Sequence, residues 1–221
     1  MKIQAAIFDV DGTLVDSNDF HARAWEKAFH RFGNQATYAQ IRQHVGKGSD
    51  QLLPTFFSPE ELKAFGKEME AWRADLFARE YRPYIKPFPC VKELFERIKR
   101  DQKRVALGTS AKGYEMDGYK KLLGITELVD STTNAEHVKR SKPYPDLFLE
   151  ALKELDLTAQ QVVVVGDTPW DAQAATEAEI AVIGVLCGGF TAEQLTAAGC
   201  TQIFKDPEDL LARYEESLIA Q

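Results

Sequence analysis

Cysteine is scarce in this chain, and the three that occur, Cys90, Cys187 and Cys200, form no Cys-x-x-Cys pair and leave an odd count. A disulfide framework and a structural zinc site are therefore not expected, and the thiols read as reduced, small apolar side chains. Long apolar runs are missing too. None reaches the ~18 residues of a membrane-spanning helix, and the first residues pass from one lysine to a pair of aspartates without an apolar leader or a small-residue cleavage site. The expectation is a cytoplasmic protein with no membrane partner. Nor is there a surplus of positive charge: 27 Lys and Arg face 34 Asp and Glu, a formal net charge of -7. A nucleic-acid backbone is held by clustered cations, so nucleic acid is not an expected partner. Repeats and low-complexity tracts are likewise missing. What is present is ordinary for a globular protein, 44% hydrophobic and 28% charged. The chain suits one large domain, or a core with a smaller one inserted, and can bury roughly 70% of its unfolded surface.

The apolar pattern divides the chain. Residues 3–8 are too few for a helix and apolar enough for a strand buried on both faces, and 104–108, 162–166 and 180–185 read the same way, with 128–131 a weaker strand. Between the first of these strands and residue 86 the periodicity is helical. The N-cap types Asp16-Ser17-Asn18-Asp19 precede Trp25, Ala28, Phe29 and Phe32, and a short helix is expected over 38–45, interrupted by Gly46-Lys47-Gly48-Ser49. Ser58-Pro59-Glu60-Glu61 is a capping box with proline at the first helical position. Leu62, Phe65, Met69, Trp72 and Leu76 then form a stripe too short for a coiled coil, so a core-facing helix is expected. After Pro83, Pro87 and Pro89, helices at 91–99, 114–123, 145–155 and 172–178 alternate with the strands, and Thr191 to Gln194 opens one more behind Gly188-Gly189. Such alternation implies an α/β fold with a parallel sheet and right-handed crossovers. The expected division is a core of residues 1–15 and 87–221 interrupted by a helical unit, 16–86. The mixed-sign runs at 99–104 and 136–140 read as solvated surface.

Polar groups of complementary kinds stand at the ends of these strands: Asp9 and Asp11 before the permissive Gly12, Thr109-Ser110, Lys142, and Asp167 with Asp171. In a parallel sheet the C-terminal strand ends share one edge, so these distant groups converge. Carboxylates crowded there raise one another's pKa and call for a divalent cation, and oxygen ligands without nearby His or Cys point to Mg²⁺. Hydroxyls, backbone N–H groups and a lysine ammonium suit a phosphate dianion. One aspartate can act as nucleophile, and another two residues along the strand can move a proton.

With these four motifs in this order, Asp9-Val10-Asp11-Gly12-Thr13, Thr109, Lys142 in Ser141-Lys142-Pro143, and Gly166-Asp167-Thr168-Pro169-Trp170-Asp171, the chain resembles the haloacid dehalogenase superfamily, phosphatase branch. The resemblance covers essentially the whole chain. It implies a Rossmann-like core with helices on both faces and a small α-helical cap that closes over the substrate. It also implies that Asp9 is nucleophile and metal ligand, that Asp11 is acid/base and a ligand through its carbonyl, and that Thr109, Ser110 and Lys142 bind phosphate. Asp167 would complete the Mg²⁺ shell, and Asp171 would orient Lys142 or a metal-bound water. His21 and Lys47 are the cap residues set near the substrate, and Trp170 is expected to pack at its helix start. The implied substrate is a small phosphorylated metabolite, such as a sugar phosphate or phosphoglycolate, and the implied state a monomer or weak homodimer. The dehalogenase and phosphonate-cleaving branches lack an acid at the position of Asp11. A sugar-phosphate mutase remains an alternative on the same site. A phospho-aspartate switch or binding module would lack both the long insertion and the Asp-x-Asp spacing.

Overall fold

A computed structural model describes residues 2–111 and 113–221. The first strand, β1 (Ala5–Phe8), is buried along its whole length. The chain then turns at Gly12, whose φ of +82° is open to glycine at little cost, into β2 (Val15–Asp16). The helical insertion follows: α1 (Asn18–Arg31), α2 (Tyr38–Arg42), and the short α3 (Ser49–Leu52) and α4 (Pro59–Glu61). A π-helical turn over Leu62–Gly66 leads into α5 (Lys67–Glu80). The strand β3 (Lys86–Pro87) returns antiparallel to β2, so a two-stranded ribbon forms the root of the insertion.

Strands and helices then alternate as α6 (Val91–Arg100), β4 (Arg104–Thr109), α7 (Gly113–Leu123), β5 (Ser131–Asn134), α8 (Asp146–Leu155), β6 (Val162–Gly166), α9 (Pro169–Glu177), β7 (Ala181–Val185), α10 (Ala192–Ala198), β8 (Gln202–Phe204) and α11 (Pro207–Ala212). The main sheet is parallel throughout, in the order β5-β4-β1-β6-β7-β8. Period-two alternation along β1 sends Ala6 and Phe8 to one face, where α6, α7 and α11 cover them, and Ala5 and Ile7 to the other, under α8, α9 and α10. Helices thus cover both faces of an α/β sheet. The insertion has an apolar cluster of its own around Trp25, Phe29, Ile41, Leu52, Phe57 and Met69. Among the described residues no helix is long and apolar enough to cross a membrane.

Four expectations need correction. The weaker strand lies at Ser131–Asn134 rather than 128–131, because a sheet-edge strand can be polar, while Leu128 and Val129 pack as a turn against the core. Lys142 accordingly stands in the loop before α8, eight residues past the strand end, and its length carries its amine to the site. The helix expected over 38–45 stops at Arg42, and the chain instead makes a bridge between Val45 and Lys47 across Gly46, at φ +99°. The last helix-strand-helix segment was recognised only through the Thr191 capping box, since β8 has just three residues and lies at the other edge.

Phe29, fully buried, packs on Phe56 and Phe57 at centroid distances of 5.1 and 4.9 Å. Phe29→Ala is expected to destabilise the insertion by about 3–5 kcal/mol. Urea unfolding followed by tryptophan fluorescence will test this, because Trp25 adjoins Phe29.

Candidate active site

The register of the three central strands sets the site. Phe8 pairs with Leu107 of β4 and Val165 of β6, so the residues that follow, Asp9, Thr109 and Asp167, leave the sheet at the same edge. Asp9 is held there by its own N–H, which donates to the Val165 carbonyl at 2.9 Å. The Lys142 amine, fully buried, donates to Oδ1 of Asp9 and to Oδ1 of Asp171, each at 2.6 Å. Asp171 lies in the first turn of α9, and its other oxygen accepts the N–H and hydroxyl of Thr168 in a capping box. Both its oxygens are thereby committed to orienting Lys142 and starting the helix. Asp167 accepts from Thr13 at 2.8 Å and from the Asn18 amide at 2.7 Å.

Asp11 points elsewhere. Its Oδ1 accepts from Ser17 at 2.6 Å, from His21 Nε2 at 2.9 Å and from Tyr119 at 3.2 Å. His21 stacks on Phe77, with ring centroids 4.2 Å apart, and its other nitrogen meets the guanidinium of Arg73. Arginine can only donate, so Nδ1 is the acceptor and the ring proton sits on Nε2, aimed at Asp11. Two residues from one another in sequence, the two aspartates therefore occupy different networks, one with a buried ammonium and one with Ser17 and His21 of the insertion and Tyr119 of α7.

Burial raises the Asp9 pKa well above the usual carboxylate range, Asp171 and Asp167 add to this, and Lys142 opposes it. Burial, reinforced by Asp171, pushes Asp167 up to about 7 against the hydrogen bonds of Thr13 and Asn18. Burial also disfavours the Lys142 charge, but Asp171 and Asp9 outweigh it and hold that pKa above the ordinary lysine value. At Asp11 burial is overcome by His21, Ser17 and Tyr119, which lower its pKa to about 2. One lysine thus serves three buried carboxyls, of which Asp9 and Asp167 hold their protons above the ordinary carboxylate range.

Over this floor lies a cleft of about 110 Å³, roofed by the insertion. Thr109 and Ser110 line it beside the aspartates, and Trp25, Lys47, Glu70 and Arg73 line its roof. The Thr109 hydroxyl oxygen accepts the Ala111 N–H at 3.0 Å and keeps its own proton to donate, while Ser110 reaches the Gly46 carbonyl at 3.4 Å. Lys47 is held at the roof, its amine 4.0 Å from the centroid of the Trp170 ring and 3.2 Å from His44 Nδ1, and burial lowers its pKa. Trp170 at the start of α9 therefore packs against the insertion.

A family model described as haloacid dehalogenase-like hydrolase matches residues 6–185. The chain belongs to this family. The phosphorylated carbohydrates phosphatase of Thermotoga maritima is 27% identical to it over 217 residues, 98% of this chain and 100% of that protein. The chloroplastic protein Suppressor of Quenching 1 of Arabidopsis thaliana is 30% identical over 190 residues, 83% of this chain but only 18% of that much longer protein. The crystal structure of a hydrolase from Pseudomonas syringae superposes with a TM-score of 0.84 at 26% identity, covering 96% of this chain and 98% of that one.

For a haloacid dehalogenase-like hydrolase a divalent cation is implied, and the residues present fit one. Carboxylate oxygens of Asp9, Asp167 and Asp171 lie within 4.8 Å of one another, all buried. An atom added as Cβ at Gly188 would stand 1.7 Å from an Asp167 oxygen, so the backbone there is cleared for that carboxylate. Asn18 Oδ1, beside Asp167, is buried without a hydrogen-bond partner among the described residues, an acceptor of the kind a cation-bound water satisfies.

Several residues here escaped sequence reasoning. Tyr119, Glu70 and Arg73 carry no local mark of function, and Thr13 was marked only as the end of the first motif, not as a partner of Asp167. Ser17 and Asn18 did carry one, since they belong to a run of N-cap types longer than one helix needs, and the Ser17 side chain makes no capping bond. It is spent on Asp11.

Unfolded, Asp9 and Asp167 ionise near pH 4. Folded and free of cation, Asp167 keeps its proton to about pH 7, and Asp9 is raised as well. Between about pH 4 and 7 the native form thus binds more protons than the unfolded one, and stability contributed by these acids falls as pH rises through that window. Calorimetry should show that Mg²⁺ raises the melting temperature by several degrees at pH 7.5 and by much less at pH 5. Equal increments at both would contradict the site's electrostatics.

Proposed function

We propose that the chain is a Mg²⁺-dependent phosphatase that hydrolyses phosphate monoesters of small metabolites through an aspartyl-phosphate on Asp9. The observation that carries this reading is the buried Lys142 amine bridging Asp9 and Asp171 beneath a cleft that Asp9 lines, with a second acid, Asp11, lining the same cleft from a separate network. In the first displacement a carboxylate oxygen of Asp9 forms a bond to phosphorus as the ester O–P bond breaks, and Asp11 gives its proton to the leaving oxygen. In the second, Asp11 takes a proton from water, the water oxygen bonds to phosphorus, and Asp9 departs as carboxylate with release of inorganic phosphate.

The two networks suit these parts. Lys142 holds Oδ1 of Asp9, and among the described residues no hydrogen bond occupies its other oxygen. Thr109 and Lys142 donate to the phosphoryl oxygens. Asp11 rests ionised, the form that accepts a proton from water; a dianionic phosphoryl group placed beside it raises its proton affinity for the first step. The Asp9 and Asp167 carboxylates and the Asp11 carbonyl would hold Mg²⁺, which when bound neutralises charge on the transferring group. Residues 16–86 act as a cap that keeps bulk water from the intermediate, with residues 1–15 and 87–221 as the core. The Thermotoga relative's name points to phosphorylated carbohydrates. A roof with Lys47, Glu70, Arg73 and the face of Trp25 supports that class here, because these groups hydrogen-bond to hydroxyls and stack on a sugar-sized body.

Purified protein with Mg²⁺ is expected to release inorganic phosphate from an aryl phosphate and, faster, from members of a sugar-phosphate panel. Recovery of an isomerised sugar phosphate in place of free phosphate would replace the phosphatase with a mutase. Asp9→Asn should lower kcat at least about 10³-fold, and undiminished turnover in that variant would refute the mechanism. Asp11→Asn should retain Mg²⁺ binding while slowing leaving-group departure, most for substrates with basic leaving groups. Lys142→Ala should lower kcat/KM for every substrate alike.

A further inference from the structure

Gly188-Gly189 forms a turn after β7 that the chemistry above does not use. It is threaded between two side chains: a Cβ at Gly188 would collide with Asp167, and one at Gly189 would lie 2.8 Å from the Arg42 guanidinium. The Gly188 carbonyl accepts from two donors on the insertion. One is the Asn18 amide, at 3.1 Å; the other is Arg42 Nη2. Arg42 belongs to α2, is anchored to Asp19 at 2.8 Å, and lies over the Phe190 ring.

Asn18 stands at the root of the insertion and is only 2% exposed. One amide hydrogen goes to the Gly188 carbonyl, an obligate acceptor that fixes the orientation of the amide, and the other goes to Asp167 Oδ2. Its oxygen, beside the acidic cluster, has no hydrogen-bond partner among the described residues. One carbonyl therefore joins a distal helix of the insertion to the residue that orients Asp167. In an open arrangement Arg42 would leave Gly188, freeing the glycine turn and relaxing the Asn18 bond that aims the carboxylate.

We propose that Arg42 and Asn18 are positioning residues that couple closure of the insertion to divalent-cation affinity through the Gly188 carbonyl. The coupling is reciprocal, so a bound cation favours the closed insertion. It rests on the cation reading of the Asp9 and Asp167 cluster given above. Electrostatics alone predicts the opposite effect: removing the positive charge of Arg42 should tighten the hold on a cation.

The test is Mn²⁺ titration of the full chain without substrate, followed by electron paramagnetic resonance of the free ion. Arg42→Ala is expected to weaken Mn²⁺ binding about 5-fold or more, Arg42→Lys to recover part of the loss, and Asn18→Ala to weaken it about 10-fold or more. Thermal unfolding of the cation-free proteins identifies any variant that does not fold; the Arg42 side chain is not deeply buried, so Arg42→Ala keeps the test decisive should Asn18→Ala fail to fold. Unchanged or tighter Mn²⁺ binding in Arg42→Ala, with wild-type binding intact, would overturn the coupling alone. Failure of the wild type to bind Mn²⁺ would overturn the cation reading and the coupling with it.

Discussion

The buried ammonium of Lys142 between Asp9 and Asp171 is the interaction on which the rest of the site depends. Four aspartates, Asp9, Asp11, Asp167 and Asp171, are buried or nearly so at one sheet edge, and desolvation alone would neutralise them. Lys142 fixes the position of Asp9 while Asp171 and the α9 capping box fix Lys142. A buried pair of this kind is weak evidence for stability, since each charge gives up its hydration, and it is better understood as an orientation device. One ammonium does not offset the burial of the cluster, and Asp9 and Asp167 are the carboxyls that the proposed cation would hold ionised.

The helical insertion completes the site by contact with every functional loop of the core. The Gly46 carbonyl meets Ser110, Asp50 accepts the Ser141 N–H at 3.0 Å, and Lys47 packs over Trp170. Gly46 and Gly48 make this approach possible, because a Cβ at either would strike Thr168 or Ser141. The insertion also supplies Ser17 and His21, which set the charge state of Asp11. The acids and the lysine thus belong to the sheet edge, and much of their enclosure to the insertion. Glu70 and Arg73, a turn apart on α5, place one charge of each sign in the roof.

Central elements were legible because their burial is written locally. The strands β1, β4 and β6 are hydrophobic on both faces, Thr109 ends β4, and Asp9 and Asp167 directly follow β1 and β6, so motif and strand are read together. The edge strands β5 and β8 were misplaced or missed, since a strand paired on one side needs no apolar run. The stripe from Leu62 to Leu76 was correctly core-facing, but nothing in it announced the π-helical turn at Leu62–Gly66.

From residue order alone came the parallel α/β core, the family resemblance, and Asp9, Asp11, Thr109, Lys142, Asp167 and Asp171 as the candidate residues, since each sits in a motif tied to a neighbouring strand or helix start. Tertiary structure alone decided how they are divided: Asp171 spent on Lys142, Asp11 given to Ser17, His21 and Tyr119, and Asp167 aimed by Thr13 and Asn18. Hydrogen bonds between residues 149 or 154 positions apart leave no trace in local periodicity. They exist only once the sheet register has brought those backbones to one edge.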